Sequence, residues 1–166
     1  PIEIAKDNKE FNFELYNKYS KRVREILLKY TDRVEPFSID ECFMDVTSSL
    51  KLYNLTARQL ARMMIDDVIK TTGICATAGI GTNLFLSKVA LDIMAKHAED
   101  FIGYLDVEEF KKTIWYHEPI TDIWNVGRGI AKRLEKYGAF NLFDVTQIPE
   151  EKLYKEFGVN AEFLID

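Results

Sequence analysis

Cysteine is scarce in this chain. Cys42 and Cys75 are its only two in 166 residues, too few for a disulfide framework. Both fall in stretches that read as strands, so they are expected to be small buried hydrophobes in a reducing cytoplasm. No apolar run approaches the ~20 residues of a membrane-spanning helix, and no signal peptide is present. Internal repeats and low-complexity tracts are absent. A surplus of positive charge is also lacking. The net charge is −5, so any contact with nucleic acid must come from a local patch or from surface supplied by another part of the protein. The chain opens at Pro1 without an initiator Met and stops at Ile165-Asp166 inside an apolar, helix-like pattern, so a fragment of a longer protein is expected. Its composition, 47% hydrophobic and 13% aromatic, supports one packed domain or two small ones.

Residues 1–12 are polar and poorly patterned. From Phe13 to Tyr30 the positions Leu15, Tyr19, Val23, Ile26, Leu27 and Tyr30 recur at helical spacing. After Pro36 the run 37–46 alternates as a strand pair bent near Ile39-Asp40. Thr56 is an N-cap candidate for a helix to about Thr71, with Leu60, Met63, Met64 and Val68 inward. Ile74–Ile80 reads as a short buried strand. Asn83 caps a helix to about Ala95, and Phe101–Leu105 is a further strand. Beyond Asp106 strand signals vanish, and short helices are expected at 107–114, 119–124, 130–137, 141–146, 150–157 and 159–166. The expected fold class is α+β, with a mixed layer over 1–105 and a small all-helical domain over 106–166.

Three motifs carry chemistry. In Phe37-Ser38-Ile39-Asp40-Glu41-Cys42-Phe43-Met44, two adjacent carboxylates interrupt an apolar run. Neighbouring ionised acids repel and lose hydration there, which a divalent cation relieves and which two-metal phosphoryl transfer exploits. A solvated turn is the plain alternative. In Gly79-Ile-Gly-Thr-Asn-Leu-Phe-Leu-Ser-Lys-Val-Ala90 a strand passes through a glycine turn into a helix, without the spacing of a phosphate loop or a dinucleotide fingerprint. Lys88 on that apolar helix either snorkels to solvent or reaches a triphosphate. In 120–134, Val126-Gly127-Arg128-Gly129-Ile130 joins two short helices, with Ala131, Leu134 and Tyr137 on the inner face of the second. Glycines permit close backbone approach, free N–H groups at a helix start favour an anion, and Arg128, Lys132 and Arg133 add charge. The pattern fits either a helix-hairpin-helix gripping a DNA phosphate or an ordinary αα-turn.

Taken together, Tyr30–Thr47 resembles the central palm motif of the Y-family translesion DNA polymerases, Ala78–Asp92 their next motif, and 122–134 their thumb hairpin. The likeness spans 13–166 and is greatest for the bacterial DNA polymerase IV/V (ImpB/MucB/SamB) group. It implies a partial palm over 1–105 and a thumb over 106–166. It implies that Asp40 binds both catalytic Mg²⁺ ions and that Glu41 helps bind the one at the primer end. Lys88 would contact the incoming deoxynucleoside triphosphate. Val126, Gly127, Arg128, Gly129, Ile130, Lys132 and Arg133 would hold primer-template DNA. Asp45, Asp66, Asp67 and Asp92 read as solvated or locally bonded acids. A sliding clamp is an implied partner, engaged through a C-terminal region that this chain does not contain, and the implied location is cytoplasmic.

Departures from the family pattern also matter. The family's first palm strand, with a third metal-binding aspartate and an aromatic steric gate, has no counterpart here, nor do the fingers or the little finger. Lys96-His97 stands where a lysine-proline is usual. The fragment alone is therefore expected to be inactive, while its parent would be an error-prone, lesion-bypassing polymerase. Two rivals use the same residues: a palm-type nucleotide cyclase, which would need a glycine-rich hairpin before its acids, and a non-catalytic helix-hairpin-helix DNA-binding module.

Overall fold

The computed structural model describes residues 13–165. The polar segment 1–12 lies outside them, as does Asp166. The amphipathic pattern that starts at Phe13 folds as helix α1, Phe13–Leu27. Strands β1, Val34–Pro36, and β2, Cys42–Met44, follow and pair antiparallel, with Val34 opposite Met44 and Pro36 opposite Cys42. The first strand therefore precedes Phe37 and includes the proline that the sequence suggested as an interruption. Proline is tolerated because it stands at the strand's end, where its missing N–H breaks no ladder.

Helix α2, Thr47–Tyr53, had no counterpart in the sequence reading. Its start is fixed one residue early, by the Asp45 carboxylate accepting from the Thr47 N–H at 3.0 Å. Helix α3, Ala57–Thr72, begins where Thr56 was expected to cap it. The capping box closes with Gln59, which returns its side-chain oxygen to the Thr56 N–H at 2.9 Å. Gly73, at φ 73°, ends the helix in the left-handed region that glycine adopts without strain. Beyond it, the apolar run does not become a strand at once. Strand β3 is only Ala78–Gly81, and Cys75 is exposed and outside any strand. An apolar run looks alike with or without a partner; here pairing starts only at Ala78, whose N–H donates to the Phe101 carbonyl. Cys42 is in β2 as expected but only half-buried rather than buried, and that burial raises its thiol pKa.

Asn83 caps α4, Leu84–Val89, by accepting from the Leu86 N–H at 2.8 Å. The expected continuous helix to Ala95 instead widens into a π turn, Ala90–Met94, and tightens into a 3₁₀ turn, Ala95–His97. Strand β4 is Ile102–Leu105. Helix α5, Val107–Thr113, is capped by Asp106. A 3₁₀ turn, Ile120–Asp122, precedes α6, Arg128–Glu135. Helices α7, Leu142–Thr146, and α8, Glu150–Phe157, then a 3₁₀ turn, Gly158–Ala161, and α9, Glu162–Ile165, complete the described chain. The described strands form two two-stranded sheets, β1–β2 and β3–β4.

The chain packs as two compact units. The described part of the first runs to Ala78 and adds Ala98–Ile102; the second comprises Gly79–His97 and the chain from Gly103 onward. The first unit buries Ile26, Leu27, Leu60, Met64 and Val68, with Met63, Val23 and Tyr30 packed around them. This is the inward face expected of α3. In the second, Leu86, Val89, Ala90 and Leu105 share one core with Ile120, Val126, Leu134 and Leu153. The described elements after Leu105 are all helical, so the 105/106 boundary marks where strands end, whereas packing groups α4 and β4 with the helices that follow. Glycine makes that grouping possible. A Cβ on Gly79 would run into the backbone of Ser87 and Leu91, and one on Gly103 into the carbonyl of Ala90.

Candidate active site and nucleic-acid interface

The acid pair sits at the tip of the β1–β2 hairpin. The N–H groups of Phe37 and Ser38 both donate to the Glu41 carbonyl, at 3.0 and 3.1 Å. That double bond to one oxygen closes a loop of Ser38, Ile39 and Asp40, a common three-residue hairpin connection. A strand alone would send neighbouring side chains to opposite faces; the tip removes that constraint. Asp40 is exposed, and one of its oxygens accepts from the Ser38 hydroxyl at 2.7 Å, while Glu41 is half-buried. Phe37 and Phe43 meet edge-to-face at 5.3 Å across the hairpin and brace its base. Hard carboxylate oxygens suit Mg²⁺, which is commonly held through one or two carboxylates plus substrate phosphates. Among the described residues no group of three or more His, Cys, Asp or Glu gathers.

Lys88 does not snorkel. Its side chain is only 8% exposed, and its ammonium pairs with Asp92 at 3.1 Å, one turn further along. Asp92 also faces Lys96 at 3.8 Å. The other acids that the sequence left as local are so placed. Asp45 pairs with Arg33 at 2.7 Å and Asp66 with Arg62 at 2.6 Å. Asp67 accepts from the Tyr30 hydroxyl at 3.0 Å.

Around 126–133, the leading limb is the single 3₁₀ turn Ile120–Asp122 rather than a helix over 119–124, and the chain reverses through Asn125 at φ 68°. Helix α6 starts at Arg128, two residues earlier than expected, with Gly127 at its N-cap and no side chain closing it. The N–H groups of Ile130 and Ala131 return to the Gly127 carbonyl, both at 3.0 Å. The Ile130 N–H is thus spent inside the turn. The N–H groups of Arg128 and Gly129 make no hydrogen bond among the described residues. Neither glycine is demanded by the fold: φ is −77° at Gly127, and a Cβ on Gly127 or Gly129 would meet nothing within 4 Å. Arg128 and Lys132 are exposed. Arg133 turns away: it donates to Glu156 at 2.9 Å and lies over the Phe157 ring at 4.2 Å. Val126, Ala131 and Leu134 are buried and Tyr137 half-buried, the expected inner face.

The model of the impB/mucB/samB family matches residues 8–92, just over half of the chain. The chain belongs to the impB/mucB/samB family. Curated relatives extend the likeness past the matched segment. DNA polymerase IV of Shewanella halifaxensis is 33% identical over 153 residues, covering 92% of this chain and 41% of the relative. DNA polymerase IV 2 of Bacillus subtilis is 34% identical over 149 residues, covering 90% and 36%. Among solved structures, a Dbh ternary complex superposes with a TM-score of 0.79 at 26% identity, over 93% of this chain and 45% of that one. A DinB protein from Sulfolobus solfataricus gives 0.77 at 27% identity, over 92% and 44%. The chain therefore spans roughly two fifths of the length of the relatives it matches. The acid hairpin and Lys88 fall within the impB/mucB/samB segment, and 126–133 lies beyond it. The partial-palm and thumb reading of the fold accords with these superpositions.

Proposed function

We propose that this chain is the central part of an error-prone, DNA-directed DNA polymerase that bypasses lesions by nucleotidyl transfer, with 1–105 as partial palm and 106–166 as thumb. The observation that carries the proposal is the hairpin that fixes Asp40 and Glu41 at its tip, inside the impB/mucB/samB segment. Relatives named DNA polymerase IV and a Dbh ternary complex support the substrates: primer-template DNA and a deoxynucleoside triphosphate. Bound at the acids, two Mg²⁺ ions would supply the charge neutralisation that attack of a primer 3′-hydroxyl on an α-phosphate needs.

The chain's own residues supply placement. The Glu41 carbonyl, held twice, keeps the backbone of both acids from drifting, and Ser38 orients the Asp40 carboxylate. Lys88 offers an ammonium to the triphosphate. At α6, the N–H groups of Arg128 and Gly129, with the charges of Arg128 and Lys132, would grip a DNA phosphate without reading sequence. Arg133 serves the fold first, through Glu156. Membership in the impB/mucB/samB family favours the polymerase over the cyclase; the non-catalytic module remains the rival for the 166 residues alone. A cytoplasmic location, and a sliding clamp as partner to a region outside this chain, complete the proposal. Its test is single-nucleotide extension of a primer by the full-length protein, on intact and lesion-bearing templates with Mg²⁺. Extension on both supports the reading, and DNA binding without extension on either leaves the module.

A further inference from the structure

A lysine on an apolar helix ordinarily carries its ammonium out to water. Lys88 is held instead. One oxygen that holds it belongs to Asp92, itself only a quarter exposed at 24%, and the same oxygen faces Lys96. Lys88, Asp92 and Lys96, at i, i+4 and i+8, thus meet at one carboxylate oxygen. The backbone that sets this spacing is the π turn Ala90–Met94, and turns of this kind inside α-helices recur at functional sites. It has no slack. Gly103 lies directly beneath the Ala90 carbonyl, and a Cβ there would also come within 2.9 Å of the Ala95 N–H nitrogen. Gly79 lies as close under Ser87 and Leu91. A helix packed backbone against backbone cannot shift to follow a ligand.

An exposed i,i+4 ion pair contributes little stability, and a buried one often none. An ordered ammonium, in contrast, is what recognition of a phosphate requires. We propose that Asp92 is a positioning residue for nucleotide binding: from the π turn it holds the Lys88 ammonium in the orientation that meets the incoming triphosphate. This rests on the assignment of Lys88 to the triphosphate made above.

The test uses the full-length protein in steady-state single-nucleotide incorporation, with Asp92→Asn, Asp92→Glu, Lys88→Gln and the double variant Asp92→Asn/Lys88→Gln. Losing a hydrogen bond to a charged group corresponds to a change of about tenfold or more. Asp92→Asn should therefore raise KM for the nucleotide on the order of tenfold while kcat changes much less. Asp92→Glu, which keeps the charge, should recover part of that loss. Adding Asp92→Asn to Lys88→Gln should raise KM no further, because the carboxylate would have nothing left to position. If Lys88→Gln raises KM but Asp92→Asn leaves it unchanged or lowers it, Asp92 does not position Lys88. Equal KM effects of Asp92→Asn with and without Lys88 would also overturn the inference and leave Asp92 a structural residue. If Lys88→Gln itself leaves KM unchanged, the underlying assignment of Lys88 falls, and this inference with it.

Discussion

Gly129 separates the demands of the fold from those of a ligand. Replacing it with alanine adds one methyl group to the first turn of α6, where a Cβ meets nothing within 4 Å and no left-handed φ is required. The fold should therefore gain. Glycine in a helix costs roughly 0.5–1 kcal/mol relative to alanine, so Gly129→Ala should stabilise by about that amount, read as a higher midpoint in urea denaturation. DNA binding should move the other way, because the methyl group stands beside the free N–H groups of Arg128 and Gly129. A lost charge-assisted hydrogen bond costs roughly 1.5–3 kcal/mol, which weakens binding by about tenfold or more. Fluorescence anisotropy with primer-template DNA reads this directly. For the 166-residue chain the contact should be weak and independent of sequence, with a log–log salt slope on the order of −2 to −3, since only a few phosphates are reached. Valine at the same position should weaken binding further. A stabilised Gly129→Ala that binds DNA as well as wild type would refute the role of the turn as a phosphate grip. A destabilised one would show that the glycine serves the fold after all.

Other substitutions test the fold's supports. Gly103→Ala should destabilise, by about 1–3 kcal/mol or more as in overpacked cores, because its Cβ has nowhere to go against the Ala90 carbonyl; a neutral result in denaturant titration would contradict the packing described. Thr56→Ala should cost ~1 kcal/mol through loss of the capping box on α3, measured by the same titration. The pKa of Asp45 is lowered from 3.8 to about 2, chiefly by the Thr47 N–H and then by Arg33. Because the folded-state value is the lower, its contribution is present above the ordinary carboxylate pKa and is lost as pH falls towards about 2. Asp45→Asn should narrow the stability difference between near-neutral pH and that acid window; an unchanged acid profile would sink the assignment.

Much of this was legible in the sequence because local signals agreed with the tertiary result. Thr56 with Gln59, Asn83, Asp106 and Gly73 act at helix ends through bonds to their own neighbours. A reading of spacing can find such bonds. What escaped it depended on partners distant in sequence or on backbone detail. The strand expected over 74–80 shortened because, among the described residues, only Ala78 onward finds a partner. Helix α2 was invisible because its capping acid, Asp45, stands one residue outside the usual position. At the candidate site, the hairpin tip was readable from the acid pair and its apolar flanks. The α6 turn was readable from its two glycines, whereas the diversion of Arg133 to Glu156 joins residues 23 positions apart and left no local mark. The Lys88–Asp92 pair stands at i,i+4 spacing but was not part of the sequence reading, and burial of the lysine is a property of the packed unit.

The central claim is that the hairpin carboxylates serve nucleotidyl transfer, and Asp40→Ala in the full-length protein tests it most directly. Asp40 is exposed, and its one hydrogen bond among the described residues is to Ser38, two positions away, so the fold should tolerate the change. The account predicts unaltered thermal unfolding and DNA affinity, with single-nucleotide incorporation reduced by several orders of magnitude, since losing a ligand shared by both ions should cost many kcal/mol at the transition state. Incorporation near the wild-type rate by a folded, DNA-binding Asp40→Ala protein would contradict it.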